Sequence, residues 1–155
     1  MKRVIKSIYI FALTVFIFSC SKDDNITDVN KNLEEATSVQ SSVSAKPFVE
    51  SNEELDVKIN LTNPDFMKNL SDTEIAKLKA AVYRFYSTVY VKDSNYYTSL
   101  VSAAEINISE DLFKLFQDNL DHMNQNINKL KTKEGKEDKV TVQQVTPEYL
   151  DSLLK

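Results

Sequence analysis

The chain has 155 residues and a formal net charge of −4 at pH 7; 42% of its residues are hydrophobic and 27% are charged. This composition is typical of one small globular domain and excludes a fibrous or multi-domain protein. The chain contains one Gly, one Cys and one His. These counts exclude a disulfide framework and a Cys/His metal cluster. They also disfavour folds that need several glycines, such as nucleotide-binding folds with Gly-rich loops and barrels built from type I′ hairpins.

The N-terminal residues 1–19 have the layout of a secretory signal peptide. Basic side chains at Lys2, Arg3 and Lys6 precede an apolar run of eleven residues that ends at Phe18. A run of this length fits the ~7–15 apolar residues of a signal peptide and is shorter than the ~20 residues that a membrane-spanning helix needs. We therefore expect residues 1–19 to be removed. The alternative is an uncleaved membrane anchor, which would require a longer apolar run.

The only cysteine of the chain follows this segment directly. The residues Ile17-Phe18-Ser19-Cys20 resemble a bacterial lipobox, with Ser19 as the small residue before the cut. The resemblance implies that the signal peptide is cleaved before Cys20 and that the Cys20 sulfur carries diacylglycerol. Two acyl chains anchor a protein stably, because each buried CH₂ contributes ~0.8 kcal/mol. We expect this covalent lipid on Cys20 and no other cofactor.

The next residues concern the destination of the protein. Ser21, Lys22, Asp23 and Asp24 resemble the Lys-plus-acidic export signal of Bacteroidota-type surface lipoproteins. The resemblance implies an outer-membrane protein, lipid-anchored and exposed at the cell surface. The alternative is a solvated acidic run on a lipoprotein that faces the periplasm.

Residues 20–52 are predicted to form the lipidated Cys and a flexible tether. The segment is rich in Ser, Asn, Asp and Glu, and its first aromatic residue is Phe48. Such a segment buries too little apolar area to offset its ordering entropy. Apolar residues at helical spacing within 27–40 leave a weak helix open there. Since residues 1–19 contain three basic and no acidic side chains, their removal takes the formal net charge from −4 to −7, which disfavours a nucleic-acid partner.

The remaining residues, 53–155, are predicted to form one helical domain. Asn63-Pro64 indicates a short helical turn, and Ser71-Asp72-Thr73-Glu74 is a capping box. The capping box predicts a long helix that ends near Lys92, because apolar residues recur along it at helical spacing. The members of this stripe are Ile75, Leu78, Val82, Phe85 and Val89. A shorter helix is expected over 95–104.

Ser109 and two following acidic residues then predict the start of a further helix. Its apolar stripe alternates by three and four residues: Phe113, Phe116, Leu120, Met123, Ile127 and Leu130. Thr146-Pro147-Glu148 predicts a last helix. Alternating apolar residues indicate two short strands, 57–61 and 140–143, which could pair as a ribbon. We therefore predict a mainly α fold, a small helical bundle with such a two-strand ribbon as an option.

The closest approach to a metal motif is Asp118, Asp121 and His122, which share one flank of the predicted 110–130 helix. Carboxylate-x-x-His spacing serves di-metal bundles, but there it occurs twice. This flank lies opposite the apolar stripe, so we interpret it as a solvated surface and expect no metal site. A hydroxyl nucleophile needs a base that a third group holds, and the only His lies on this flank. We therefore expect no catalytic residues and no enzyme activity.

The placement of tyrosines gives more information about function than the candidate metal and catalytic residues do. Tyr83, Tyr86 and Tyr90 would occupy a strip of about 60° on the predicted helix. One interpretation is that their rings close the edge of the core. The other is a surface patch that binds a partner protein, since Tyr is enriched in interfaces.

Together these features predict a membrane-anchored, non-catalytic protein-interaction or accessory module with an unidentified protein partner. One alternative is an immunity or inhibitor lipoprotein that neutralises a toxin or protease, because acidic charge would steer it toward a basic partner. Another is a carrier of a small apolar ligand, which would need a cavity between the helices.

Overall fold

The structure is a computed structural model that describes residues 41–59, 69–134 and 142–154. These residues form four α-helices, with a two-stranded antiparallel hairpin and a short 3₁₀ helix between the second and third. The elements in chain order are α1 Lys46–Glu50, α2 Asp72–Tyr86, β1 Val89–Lys92, β2 Asn95–Thr98, the 3₁₀ helix Ala103–Ile106, α3 Glu110–Glu134 and α4 Pro147–Leu153. The predicted mainly α fold class is confirmed.

Helix α2 begins where the capping box predicts. The Ser71 hydroxyl accepts from the backbone N–H of Glu74, and the Glu74 carboxylate accepts from the backbone N–H of Ser71 at 2.8 Å. The predicted end near Lys92 is wrong, because α2 ends at Tyr86. The next residues include the β-branched Thr88, Val89 and Val91, which favour an extended backbone.

Residues 89–98 form a hairpin instead of helix. Tyr90 lies opposite Tyr97, and the turn residues are Asp93 and Ser94, with φ of 51° and 57°. Two successive positive φ values define a type I′ turn, which matches the twist of the paired strands. Asp93 and Ser94 thus adopt the positive φ values of this turn without Gly. The helix predicted over 95–104 is also wrong, since β2 and the 3₁₀ helix occupy most of that range.

Helix α3 supplies one wall of the core. Five of its six predicted stripe residues are buried, namely Phe113, Phe116, Leu120, Met123 and Ile127, whereas Leu130 is 39% exposed. Phe85 of α2 packs against this wall, with its ring centroid 5.9 Å from that of Phe113 and 5.3 Å from that of Phe116. The core thus lies between α2, α3 and the inner side of the hairpin.

The C-terminal helix α4 is also confirmed. Thr146 caps it, because its hydroxyl accepts from the backbone N–H of Tyr149 at 3.2 Å, and Pro147 occupies its first turn. Leu150 is buried against the body of the domain.

The folded domain begins earlier than the boundary predicted at residue 53. Ala45 is 1% exposed, and Phe48 and Val49 of α1 pack against the core. The Ser41 hydroxyl donates to the backbone carbonyl of Asp72 at 2.9 Å, and the Ser42 hydroxyl donates to the Asp72 carboxylate. Residues 41–52 are therefore part of the domain rather than of a free tether, because their few apolar side chains reach the core. The rest of the predicted tether lies outside the described residues.

The ribbon described by the structure is β1–β2. Val142 forms a bridge, and the predicted pairing of 57–61 with 140–143 stays a prediction. Leu55 is fully buried and forms an isolated parallel bridge with Ile108, and residues 56–59 have no regular structure. Residues 60–61 and 140–141, on which the rest of the predicted pairing falls, lie outside the described residues, as does the turn predicted at Asn63-Pro64.

Candidate functional site

The three tyrosines predicted to share one strip lie in three different environments. Tyr86 is 1% exposed, and its ring packs against Phe85 and Phe116. Burial raises the pKa of the Tyr86 hydroxyl above its usual range. Tyr83 is partly buried, and Tyr90 lies on β1 rather than on the helix. The predicted patch of Tyr83, Tyr86 and Tyr90 is therefore wrong as a surface, because α2 ends before Tyr90.

The exposed aromatic surface is on the hairpin and pairs Tyr90 with a residue that the sequence analysis did not select, Tyr97. Their ring centroids are 6.0 Å apart and their planes differ by 28°, so the rings are stacked. Tyr90 is 48% exposed and Tyr97 is 41% exposed. Lys92, also exposed, is two residues from Tyr90 on the same side of β1. We call the surface of Tyr90, Lys92 and Tyr97 the tyrosine face.

The opposite side of the hairpin is fixed to the domain. Val89 and Tyr96 are buried there, and the Tyr96 hydroxyl donates to the backbone carbonyl of Gln143 at 2.9 Å. Burial raises the pKa of the Tyr96 hydroxyl. Thr88 and Thr98 share a hydrogen bond of 2.7 Å between their hydroxyls at the open end of the hairpin.

Helix α3 also holds the hairpin through its backbone. The Asn124 side chain accepts from the Tyr96 N–H at 2.7 Å and donates to the Tyr96 carbonyl at 2.8 Å. The Lys131 ammonium donates to the backbone carbonyl of Asp93 at 3.1 Å, at the tip of the turn. The tyrosine face is thus presented on a backbone anchored at its middle and at its tip. Such preorganisation lowers the ordering cost of binding.

A second cluster centres on Arg84, which the sequence analysis also did not select. Arg84 is 8% exposed, and its guanidinium donates only to oxygens of neighbouring segments. Three of its acceptors are the backbone carbonyls of Asn107 at 2.8 Å, Ile106 at 3.0 Å and Glu53 at 3.1 Å. Two others are the backbone carbonyls of Phe48 and Ser51. We call this cluster the Arg84 junction.

The Arg84 junction joins three stretches of chain that are distant in sequence. α2 supplies the guanidinium, and the acceptors come from the end of α1, the segment after it and the end of the 3₁₀ helix. Burial lowers the pKa of the Arg84 guanidinium, and the nearby charge of Glu53 opposes this shift. Because its donors are directed at backbone carbonyls, this cation serves the fold rather than a ligand.

A shallow groove of about 340 Å³ lies beside the Arg84 junction. Tyr83, Val49 and Thr88 contribute to its walls, together with backbone and side chains of the junction. A carrier of a small apolar ligand needs an enclosed, mostly apolar pocket. This groove is open and partly polar, so it does not support that alternative.

The residues that resembled half of a metal motif do not converge. The Asp118 carboxylate accepts from the Lys114 ammonium at 2.7 Å, and His122 Nε2 lies 3.0 Å from the side-chain nitrogen of Asn126. Burial, followed by the charge of Lys129, lowers the pKa of His122. Within 41–59, 69–134 and 142–154, no three His, Cys, Asp or Glu side chains are grouped so as to hold a metal ion.

The predicted lipidation site Cys20 and the export-like residues Ser21, Lys22, Asp23 and Asp24 lie outside the described residues, so their roles stay predictions. Among the helices that the structure describes, none has the length and apolar character needed to cross a bilayer.

Comparison with known proteins gives no relative on which to base a function. The chain matches no family model, no curated protein and no solved structure. Its function must therefore be inferred from the residues of this chain alone.

Proposed function

We propose that the protein is a non-catalytic interaction module, held at a membrane by a lipid on Cys20, that binds a partner protein through the tyrosine face. The observation that carries this proposal is the stacked, half-exposed pair of Tyr90 and Tyr97 on an anchored hairpin. Neither ring lies in the buried core, so both are accessible to another molecule.

The chemistry of tyrosine supports this use. A Tyr side chain offers a large apolar ring with a polar tip and loses little conformational entropy when a partner covers it. Tyr is also enriched among the residues that contribute most to binding at protein interfaces. Lys92 adds one positive charge at the same face, which favours an acidic group on the partner surface.

The membrane part of the proposal depends on the resemblance of Ile17-Phe18-Ser19-Cys20 to a lipobox. A diacylated Cys20 would keep the domain beside a bilayer. The residues Ser21-Lys22-Asp23-Asp24 favour the outer membrane and its outer face over the periplasmic side.

The partner-binding proposal can be tested by photo-crosslinking on intact cells. The full chain carries a benzoylphenylalanine at position 97 or, as a control, at position 114, which is exposed on α3. From position 97 we expect one discrete adduct with a protein other than this chain, recognised because its mass is not a multiple of the mass of this chain. We expect Tyr90→Ser to reduce the yield of that adduct. The same adducts from both positions, or none from position 97, would contradict the proposal.

The membrane proposal has its own experiment. Cells that express the full chain are labelled with radioactive palmitate, and Cys20→Ser serves as the control. We expect label in the unmodified chain only, and we expect loss of Cys20→Ser from the membrane fraction. An unlabelled chain, or Cys20→Ser that fractionates like the original, would overturn the anchor. Protease added to intact cells then separates the outer face, where the domain is cleaved, from the periplasmic face.

The net charge favours one narrower version of this function. Without residues 1–19 the chain has a formal net charge of −7, and such a charge speeds the encounter with a basic toxin or protease. An immunity or inhibitor role predicts that the association rate with the crosslinked partner falls at least tenfold between about 10 and 300 mM salt. An association rate that does not change with salt would exclude the immunity or inhibitor role and would be consistent with the accessory role.

A further inference from the structure

The two edges of the hairpin differ in how their backbone groups are used. On β2, the N–H and the carbonyl of Tyr96 both bond to the Asn124 side chain of α3. In an antiparallel pair, residues alternate between those that bond to the opposite strand and those whose backbone groups point away from it. Tyr96 belongs to the second kind. Its partner in the register is Val91, so the N–H and carbonyl of Val91 point away from β2.

The turn leads to the same assignment independently. A two-residue type I′ turn is closed by a hydrogen-bonded pair, which here is Lys92 and Asn95. Alternation then makes Tyr90 and Tyr97 a hydrogen-bonded pair. It leaves Val91 and Val89 with their backbone groups on the outer edge of β1.

This outer edge is open within the part of the chain that the structure describes. β1 pairs with β2 alone, and the backbone bonds outside the regular elements include none from Val89 or Val91. An edge of this kind presents donors and acceptors ready to pair with another strand. The β2 edge cannot do so at Tyr96, because Asn124 occupies those groups.

We propose that β1 pairs antiparallel with β1 of a second copy of this chain, which joins two hairpins into a four-stranded sheet. The two-fold axis passes at Tyr90, so that Val89 of each copy lies opposite Val91 of the other. This register uses the outward N–H and carbonyl of both valines in both copies, which gives four backbone hydrogen bonds. Shifting it by two residues would leave one valine of each copy unpaired.

The side chains are compatible with this register. Tyr90 lies opposite Tyr90 of the second copy, and the sheet then carries one row of four tyrosines in the order 97, 90, 90, 97. Lys92 lies opposite Thr88, so no two like charges face each other across the new pair. The two tyrosine faces merge into one larger surface. This inference concerns self-association and does not depend on the proposed function.

The pairing is expected to be weak in dilute solution. Four residues of edge bury much less than the roughly 1,200 Å² of a stable interface. A covalent trap is therefore a better test than chromatography. The register places the two residues at position 90 in a non-hydrogen-bonded pair, with Cα atoms about 4.5 Å apart. That distance lies within the range of about 4.4–6.8 Å that a disulfide spans.

The experiment uses the full chain with Cys20→Ser, so that an introduced cysteine is the only thiol. Tyr90→Cys is compared with Tyr97→Cys, which has the same side-chain type, a similar exposure and the same face. In the proposed sheet the two residues at position 97 are three strand spacings apart, about 14 Å. Under mild oxidation we expect Tyr90→Cys to form covalent dimers at least tenfold faster than Tyr97→Cys. Equal rates would mean random collision and would overturn the proposal.

A second variant tests the backbone pairing itself. Val91→Pro, added to Tyr90→Cys, removes an outward N–H without removing a bond of the hairpin, since Pro is tolerated on an edge strand. We expect the cross-linking rate to fall to that of Tyr97→Cys, while the circular dichroism spectrum stays unchanged. Val91→Thr, which keeps the N–H, is expected to cross-link like Tyr90→Cys alone. Unchanged cross-linking in folded Val91→Pro would contradict the strand pairing.

Discussion

The Arg84 junction and the tyrosine face both contain side chains with an apolar part and a polar tip, but these side chains are buried in the junction and exposed on the face. Arg84 and the two tyrosines each join an apolar stem or ring to a polar tip. Arg84 is 8% exposed and its guanidinium donates to backbone carbonyls, whereas Tyr90 is 48% exposed and its ring stacks on the exposed Tyr97. We therefore expect loss of Arg84 to destabilise the fold, and loss of an exposed ring to affect it much less. Stability and binding should therefore be separable by substitution.

The substitution with the largest expected effect on stability is Arg84→Met, which tests whether Arg84 holds the fold together. The substitution keeps much of the stem but leaves the carbonyls of Glu53, Ile106 and Asn107 without their donor. We expect the free energy of unfolding to fall by about 3–5 kcal/mol, as measured by urea denaturation, because several buried acceptors lose a charged partner.

The matched control for that experiment is Lys114→Met, which removes an exposed cation whose partner is Asp118. An exposed ion pair contributes about 0–1 kcal/mol, so the loss should lie within that range. If Arg84→Met costs no more than Lys114→Met, the Arg84 junction does not hold the fold together and the comparison fails.

Asn124→Ala tests what holds the tyrosine face in place. It removes both side-chain bonds to the Tyr96 backbone. We expect a loss of about 2 kcal/mol in unfolding free energy and faster amide exchange at Tyr96. Asn128→Ala, four residues along the same helix at an exposed position, should change stability by less than about 0.5 kcal/mol. Slow exchange at Tyr96 in Asn124→Ala would mean that α3 does not anchor the hairpin there.

Ser94→Gly should strengthen the hairpin. Ser94 has a φ of 57°, which lies in the left-handed region. Any residue that has a Cβ atom is strained there, whereas Gly is not. We expect a gain of about 1 kcal/mol in unfolding free energy. Ser99→Gly, at an exposed position without positive φ, should give no gain, because it only adds freedom to the unfolded chain. Equal effects of the two substitutions would argue against the type I′ turn.

The smallest expected effect is a pH dependence from His122. Burial, and to a lesser extent the charge of Lys129, lower the pKa of His122 in the folded state below its ordinary value. The unfolded chain therefore binds more protons as pH falls below about 6.5, and stability declines there. Above that pH this contribution is constant. His122→Gln should flatten the decline in urea midpoints measured from pH 7.5 to 5.5. Arg84 does not contribute, because arginine stays protonated over this pH range. A decline of the same size in His122→Gln would therefore come from other groups and contradict the prediction.

Sequence reasoning succeeded where the signal was local. The Ser71 capping box, the Thr146 cap and the alternating stripe of α3 each lie within one helix, and all three are confirmed. Capping and amphipathic spacing act over three or four residues, so their signatures can be read directly from the chain.

The wrong predictions concern features that depend on contacts between segments distant in sequence. Val89 continues the helical spacing of Val82 and Phe85, so the stripe ran on past the true helix end. The alternation of Val89, Tyr90, Val91 and Lys92 was the signal that could have revealed β1. The roles of Arg84 and Asn124 had no local signal, because their acceptors and donors come from 22 to 36 residues away.

If Cys20 carries the proposed lipid, the packing of residues 41–52 limits how far the domain can lie from the membrane surface. Ser41 contacts the body of the domain, and 21 peptide bonds separate it from Cys20. Whatever their arrangement, these peptide units span at most ~75 Å, whereas a link ending at residue 53 would allow ~120 Å. The accessible volume shrinks to roughly a quarter, as the cube of that ratio of lengths. With the proposed anchor, a partner must come close to the lipid surface to be met at all.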